Sequence, residues 1–135
     1  MAINVSFRCT VITPERQVLD AEGTFLAFPA HDGEIGILRD RAPLLCKLGT
    51  GVLRLETAAR AERLFIDGGF AQVLKNQVTI LTEQALRPEE IDVPQTRVAL
   101  AEARARHATT PEDLEARRRE IDRQSAKLRA VQARE

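Results

Sequence analysis

The hydrophobic period of this chain changes once, near Pro88, and the change narrows the folds open to it. Up to about Leu86 apolar residues recur at every second position. In "FRCTVI", Phe7, Cys9 and Val11 share one face while Arg8 and Thr10 take the other. "VLRLET" sets Leu53, Leu55 and Thr57 against Arg54 and Glu56, and "QVTILT" sets Val78, Ile80 and Thr82 against Thr79 and Leu81. Turn signals divide these runs at Thr13-Pro14-Glu15-Arg16, Pro29 through Gly33, Gly49-Thr50-Gly51, Asp67-Gly68-Gly69 and Lys75-Asn76-Gln77. Short strands about ten residues apart, with no helical pattern between them, predict an antiparallel sandwich or barrel.

Beyond Pro88 the pattern is helical. From Gln95 to Glu135 there is no glycine, and Ala, Arg and Glu dominate. "ATTPEDLEA" interrupts the run: Thr110 suits an N-cap, Pro111 the first helical position, and Glu112 with Asp113 complement the helix dipole. The tail therefore reads as an αα-hairpin from about residue 94 to 133. Its apolar seam is thin. The second helix offers Leu114, Ile121 and Leu128 at seven-residue steps, with Val131 beyond. The first offers Val98 and Leu100 among alanines. Small side chains bury little area, and helices of this length are marginal alone, so the hairpin needs a partner surface on its own sandwich or on another protein.

A length of 135 residues suits one domain, or a small domain with an appendage. The division falls at residues 1–87 for the sandwich and 88–135 for the hairpin. Lys plus Arg and Asp plus Glu each number 20, so net charge gives no reason to expect nucleic acid or an anionic membrane. Five Phe with no Trp or Tyr also disfavour stacking on single strands. No run is long enough to span a membrane, and "MAINVSF" lacks a signal-peptide pattern. Cys9 and Cys46 are expected as reduced core thiols in a cytoplasmic protein. Charge is nevertheless divided. Residues 95–135 carry ten basic and seven acidic groups, whereas residues 1–94 carry ten and thirteen. A basic hairpin could dock on its own acidic body or seek an acidic surface elsewhere. Within it, Arg117, Arg118 and Arg119 fan across about 200° of helix, so some of them face solvent.

The stretch "HDGEIGIL" puts His31, Asp32 and Glu34 beside Gly33 and Gly36. An enzyme would use Asp32 and Glu34 as metal ligands or as an acid and base, since alternate strand residues share a face. No second cluster among the strands completes such a site, and His107 falls at the end of the first helix, where it reads as a cap. Zinc, heme, nucleophile and P-loop patterns are absent. The expectation is an exposed, glycine-shaped loop that a partner reads, with no catalytic residue and no metal.

"VITPERQV", "FPAHDGEIGIL", "RAPLL", "LGTGVLR" and "DGGFAQVLKNQVTILTEQA" follow one another in an order and spacing that resembles the epsilon subunit of the bacterial F-type ATP synthase, whose relatives are chloroplast epsilon and mitochondrial delta. The resemblance runs from about Phe7 to Ala85, and the tail fits in length and kind. It implies a ten-stranded β-sandwich followed by an αα-hairpin, bound to the gamma subunit, resting on the c-ring and turning with the rotor. Such a subunit has no catalysis of its own and sits peripherally at the cytoplasmic face of the bacterial membrane, which it meets only through the complex. The loop His31, Asp32, Gly33, Glu34, Ile35 and Gly36 would touch the c-ring. The hairpin would inhibit ATP hydrolysis when extended into the alpha and beta subunits, with Arg117, Arg118, Arg119 and Arg123 as its docking residues.

Two departures stand out. Where the family has "PGHAPLL", a glycine and a histidine are replaced by Asp40 and Arg41, which implies a different turn or a compensating partner. Some members also bind ATP on the folded hairpin through Ile or Leu, Asp, two residues, Arg, Ala. Here Ile91 and Asp92 are present, but four residues including Pro94 precede Arg97, which moves the arginine off the expected face. No cofactor is therefore expected, and Asp92 reads as an N-cap. The rival readings are an ATP sensor acting through the hairpin and an enzyme built on Asp32 and Glu34.

Overall fold

The computed structural model describes residues 4–132. Ten strands form: β1 (Phe7–Ile12), β2 (Gln17–Gly23), β3 (Phe25–Ala30), β4 (Gly33–Ile37), β5 (Leu44–Lys47), β6 (Thr50–Glu56), β7 (Ala61–Asp67), β8 (Phe70–Leu74), β9 (Gln77–Leu81) and β10 (Ala85–Leu86). They pair in two five-stranded sheets, β2-β1-β9-β8-β5 and β10-β7-β6-β3-β4, stacked as a sandwich. The inward alternates of both sheets, among them Cys9, Val11, Leu26, Phe28, Leu53, Leu55, Leu64, Ile66, Val78 and Ile80, form one core. That is what period-two patterning requires of a half-buried sheet. One pairing departs from the antiparallel expectation: β1 runs parallel to β9, from Arg8 against Gln77 to Ile12 against Leu81. It joins two local hairpins that are far apart in sequence.

The turns follow the marked residues, with adjustments. Lys75 and Asn76 both take positive φ, 51° and 61°, as a two-residue hairpin between β8 and β9 demands. Gly69 has φ 103°, and a Cβ there would collide with the Leu81 carbonyl, so no other residue fits. The turn expected over residues 29–33 is narrower. Pro29 and Ala30 complete β3, Gly33 begins β4, and only His31 and Asp32 bend the chain. Cys9 is fully buried, but Cys46 is only half-buried at the margin of the core, because β5 is an edge strand.

After β10 a short 3-10 turn, Pro88–Glu90, leads to α1 (Val93–Ala105) and then α2 (Pro111–Gln132). The ends expected for this tail reach residues 133–135, which lie outside the described residues. Asp92 caps α1 by accepting the Gln95 N–H at 3.0 Å, and Thr110 caps α2 by accepting the Asp113 N–H at 3.1 Å. His107 does not cap: α1 stops at Ala105, Arg106 closes it through the Ala103 carbonyl, and His107 belongs to the exposed connection. α1 packs on α2, and α2 lies across β6 and β7.

The face used by α2 differs from the apolar stripe in the sequence. Leu114 is 50% exposed and Val98 57%, while Ile121, Leu128 and Val131 are only half-buried. The buried positions of α2 are Gln124, Ala126 and Ala130. Ala126 and Ala130 meet Phe65 and Ile91, flanked by Val52, Leu86 and Val131. The reason is steric. Phe65 points outward from β7, and only small side chains let a helix backbone settle over its ring. Docking is confined to the second half of α2; none of residues 111–123 is buried.

Candidate functional site

The first candidate surface is the β3–β4 hairpin tip. Ala30 pairs with Gly33 and Pro29 with Glu34, so Asp32 and Glu34 project from the end of a regular ladder. The tip is tied to the sandwich: the His31 N–H donates to the Lys47 carbonyl at 2.9 Å and the Gly49 N–H to that of Pro29 at 3.0 Å. His31, Asp32, Gly33, Glu34 and Gly36 are exposed, while Ile35 packs against the core as an anchor. The six residues are thus a rigid turn plus an edge strand rather than a loop. Neither Asp32 nor Glu34 forms an ion pair among the described residues, whose acidic, histidine and cysteine side chains nowhere gather in a group fit to hold a metal. Burial first, and then the Asp32 charge, push the Cys46 thiol up, while Arg41 pulls it down. Acid and base therefore lie together at this end.

The departure at Asp40 is compensated locally. Asp40 takes φ 66°, the left-handed conformation that glycine adopts freely. Asn76 holds it there: the Asp40 N–H donates to Asn76 Oδ1 at 2.7 Å, and Asn76 Nδ2 donates to Asp40 Oδ1 at 3.1 Å. Short polar side chains tolerate that backbone region, so the turn survives the loss of glycine.

The second candidate surface is the seam between α2 and the sandwich. Arg123 Nε donates to Asp67 Oδ2 at 2.9 Å, and Thr50 Oγ1 donates to the other carboxylate oxygen at 2.7 Å. Arg123 Nη1 also donates to Glu120 at 3.1 Å, and Gln124 Nε2 donates to that carboxylate at 2.7 Å. Burial opposes the charge of Arg123, but these two acids outweigh it and hold the guanidinium above its ordinary value. Glu120 is held below its ordinary value, chiefly by the Gln124 hydrogen bond, with Arg123 adding to it against burial. Lys127 Nζ stands 5.5 Å from the Phe65 ring centroid. Of the four arginines singled out in the sequence, only Arg123 reaches the sandwich; Arg118 and Arg119 are exposed and Arg117 is half-buried. Asp67 and Thr50 read from the sequence only as turn residues, and Phe65 was not singled out. Phe65 could have been, because it breaks the polar outward register of Arg63 and Asp67 on β7.

The third candidate group does not come together. Ile91 is buried in the small cluster under α2, and Asp92 is committed to its cap. Both line a cleft of about 280 Å³ with Glu90, Gln95, Thr96 and Lys127, but Arg97 is exposed elsewhere on α1. Two carboxylates against one ammonium make a poor receptor for a polyphosphate.

Comparison with known proteins agrees with this architecture. The family described as ATP synthase, Delta/Epsilon chain, beta-sandwich domain, matches residues 6–88. A protein of Rhodopirellula baltica named ATP synthase epsilon chain is 44% identical over 126 residues, covering 93% of this chain and 98% of its own. The chain belongs to the ATP synthase delta/epsilon family. A further epsilon chain, from Carboxydothermus hydrogenoformans, is 43% identical over 73% of both proteins. Among solved structures, a chain of the Euglena gracilis mitochondrial ATP synthase (OSCP/F1/c-ring, rotational state 1) superposes with TM-score 0.82 at 23% identity, over 99% of this chain and 84% of that one. A chain from the central stalk and c-ring of the Tetrahymena thermophila enzyme gives 0.67 at 15% identity, over 92% and 95%. Both share the fold of this chain over nearly all of its length. No helix among the described residues is long and apolar enough to cross a membrane.

Proposed function

We propose that this chain is a non-catalytic central-stalk subunit of an F-type ATP synthase. It bridges the gamma subunit and the c-ring, and so couples proton transport to ATP synthesis from the cytoplasmic face of the membrane. The observation that carries this reading is the near end-to-end likeness to a named epsilon chain, 44% identical across 93% of this sequence and 98% of that one. The division at residues 87 and 88 gives each part a task. In the sandwich, the rigid tip with Asp32 and Glu34 meets the polar loops of the c-ring. In the hairpin, Arg118 and Arg119 are exposed and Arg117 is half-buried, and all three meet the alpha and beta subunits when α2 extends. Arg123 joins them once it leaves Asp67. Inhibition of ATP hydrolysis then follows from a hairpin whose docked and extended states differ little in free energy. The reading needs no bound nucleotide, in keeping with the acidic cleft beside Asp92.

The test is ATP hydrolysis by the cognate complex depleted of this subunit and then supplied with the full chain or with the chain ending at Glu90. Slower turnover with the full chain alone makes the hairpin the brake. Binding of both with no slowing reduces the role to coupling, and binding of neither overturns the assignment to the stalk. Titration calorimetry with ATP should return no binding heat.

A further inference from the structure

We infer that the Arg123–Asp67 contact is a latch that keeps the hairpin on its own sandwich. The apolar part of the seam is small on the helix side, where two alanines, Ala126 and Ala130, are the apolar residues fully covered. Nothing in residues 111–122 of α2 is buried to hold the helix further along. Among the described residues of α2, Arg123 is the first along the chain whose side chain bonds the sandwich.

Both halves of the contact are built in advance. On the sandwich, Asp67 is fixed at the end of β7: its N–H donates to the Gln84 carbonyl at 3.1 Å and to Thr82 Oγ1 at 3.2 Å. Thr50 holds the carboxylate oxygen that Arg123 does not use. On the helix, Glu120 aims the guanidinium and is itself held by Gln124 one turn on. The Nε to Oδ2 bond is the one that ties α2 to the end of β7. With side chains 37% and 20% exposed, the pair is partly screened and its contribution is modest. A modest contribution suits a latch, because it biases the docked state without locking it. The docked hairpin is therefore sensitive to ionic strength in a way that an alanine–phenylalanine contact is not.

Amide hydrogen exchange on the full chain tests this. Asp67→Asn keeps an acceptor for Thr50 but removes the charge; Arg123→Gln removes it from the helix side. Each should speed exchange across α2 about fivefold while leaving the sandwich strands unchanged. The double variant should be no faster than either single one, because both remove the same contact. Arg129→Gln removes a charge from an exposed site on the same helix and should leave exchange as it was. Raising salt should speed α2 exchange in the unaltered chain and not in Arg123→Gln. Unchanged exchange in Arg123→Gln, or additive effects in the double variant, overturns the latch. The use of such a latch in regulation rests on the stalk reading above, which hydrolysis in the complex tests separately; the exchange experiment judges the latch alone.

Discussion

Phe65 offers the cleanest separation of the hairpin from the sandwich. Its neighbours in β7, Leu64 and Ile66, belong to the main core, whereas Phe65 points the other way into the cluster with Ile91, Ala126 and Ala130. It is 0% exposed, and α2 is what covers it. Phe65→Ala should therefore weaken docking and spare the sandwich. Burying a phenylalanine side chain is worth about 2–3 kcal/mol, and the Lys127 contact with the ring adds roughly 0.5. Together these come to about 2.5–3.5 kcal/mol, and at about 1.4 kcal/mol per tenfold the undocked population should rise roughly 60- to 300-fold, up to the point where undocking is complete. Trypsin reads this directly, since Arg123 and Lys127 are held against the sandwich in the docked half of α2 and become cleavable when the undocked helix frays. When cleavage is slow, the nicking rate tracks the open population. The melting of the sandwich should fall by less than about 1 kcal/mol, against about 2–5 for Leu64→Ala in the main core. A nicking rate within twofold of the unaltered chain would refute the reasoning. So would a sandwich as badly destabilised by Phe65→Ala as by Leu64→Ala.

Three further outcomes are expected. Asp40→Ala should lose about 1–1.5 kcal/mol, a fall of a few degrees in Tm, because alanine is costly at φ 66° and cannot accept from Asn76; Asp40→Gly should be close to neutral. Burial pushes the Cys9 thiol to about 12, so a disulfide reagent at pH 8 should titrate Cys46 in the folded chain and Cys9 only after unfolding. Glu120 is depressed in the folded state, so its contribution is present above the ordinary value of 4.5 and lost as pH falls through the folded value. Helical circular dichroism should accordingly decline in acid, and Glu120→Gln should lose that part of the decline.

What could be read from the chain and what could not divides along locality. Alternation placed Cys9, Val11, Leu53, Leu55, Val78 and Ile80 in the core because a strand's two faces are fixed by position alone. Asp92 and Thr110 were legible as caps for the same reason, since each bonds a backbone N–H three residues ahead. The parallel pairing of β1 with β9 was not legible, because its partners are about seventy residues apart and neither strand's pattern names the other. The docking face of α2 failed in a more instructive way. Leu114 and Val98 look like seam residues by hydrophobicity, yet they are exposed, while Ala126 and Ala130 are chosen by the ring of Phe65 beneath them. Arg123 shows the same limit in charge. Along the sequence it is one of four equivalent arginines, and it lies one helical turn beyond Arg119 on the same face. Arg119 is exposed and Arg123 is paired, so the edge of the sheet falls between them. Where the sheet ends is a property of β6 and β7, not of α2. A helix that runs past its support carries one basic face in two settings: paired to the sandwich from Arg123 onward, and open to solvent before it.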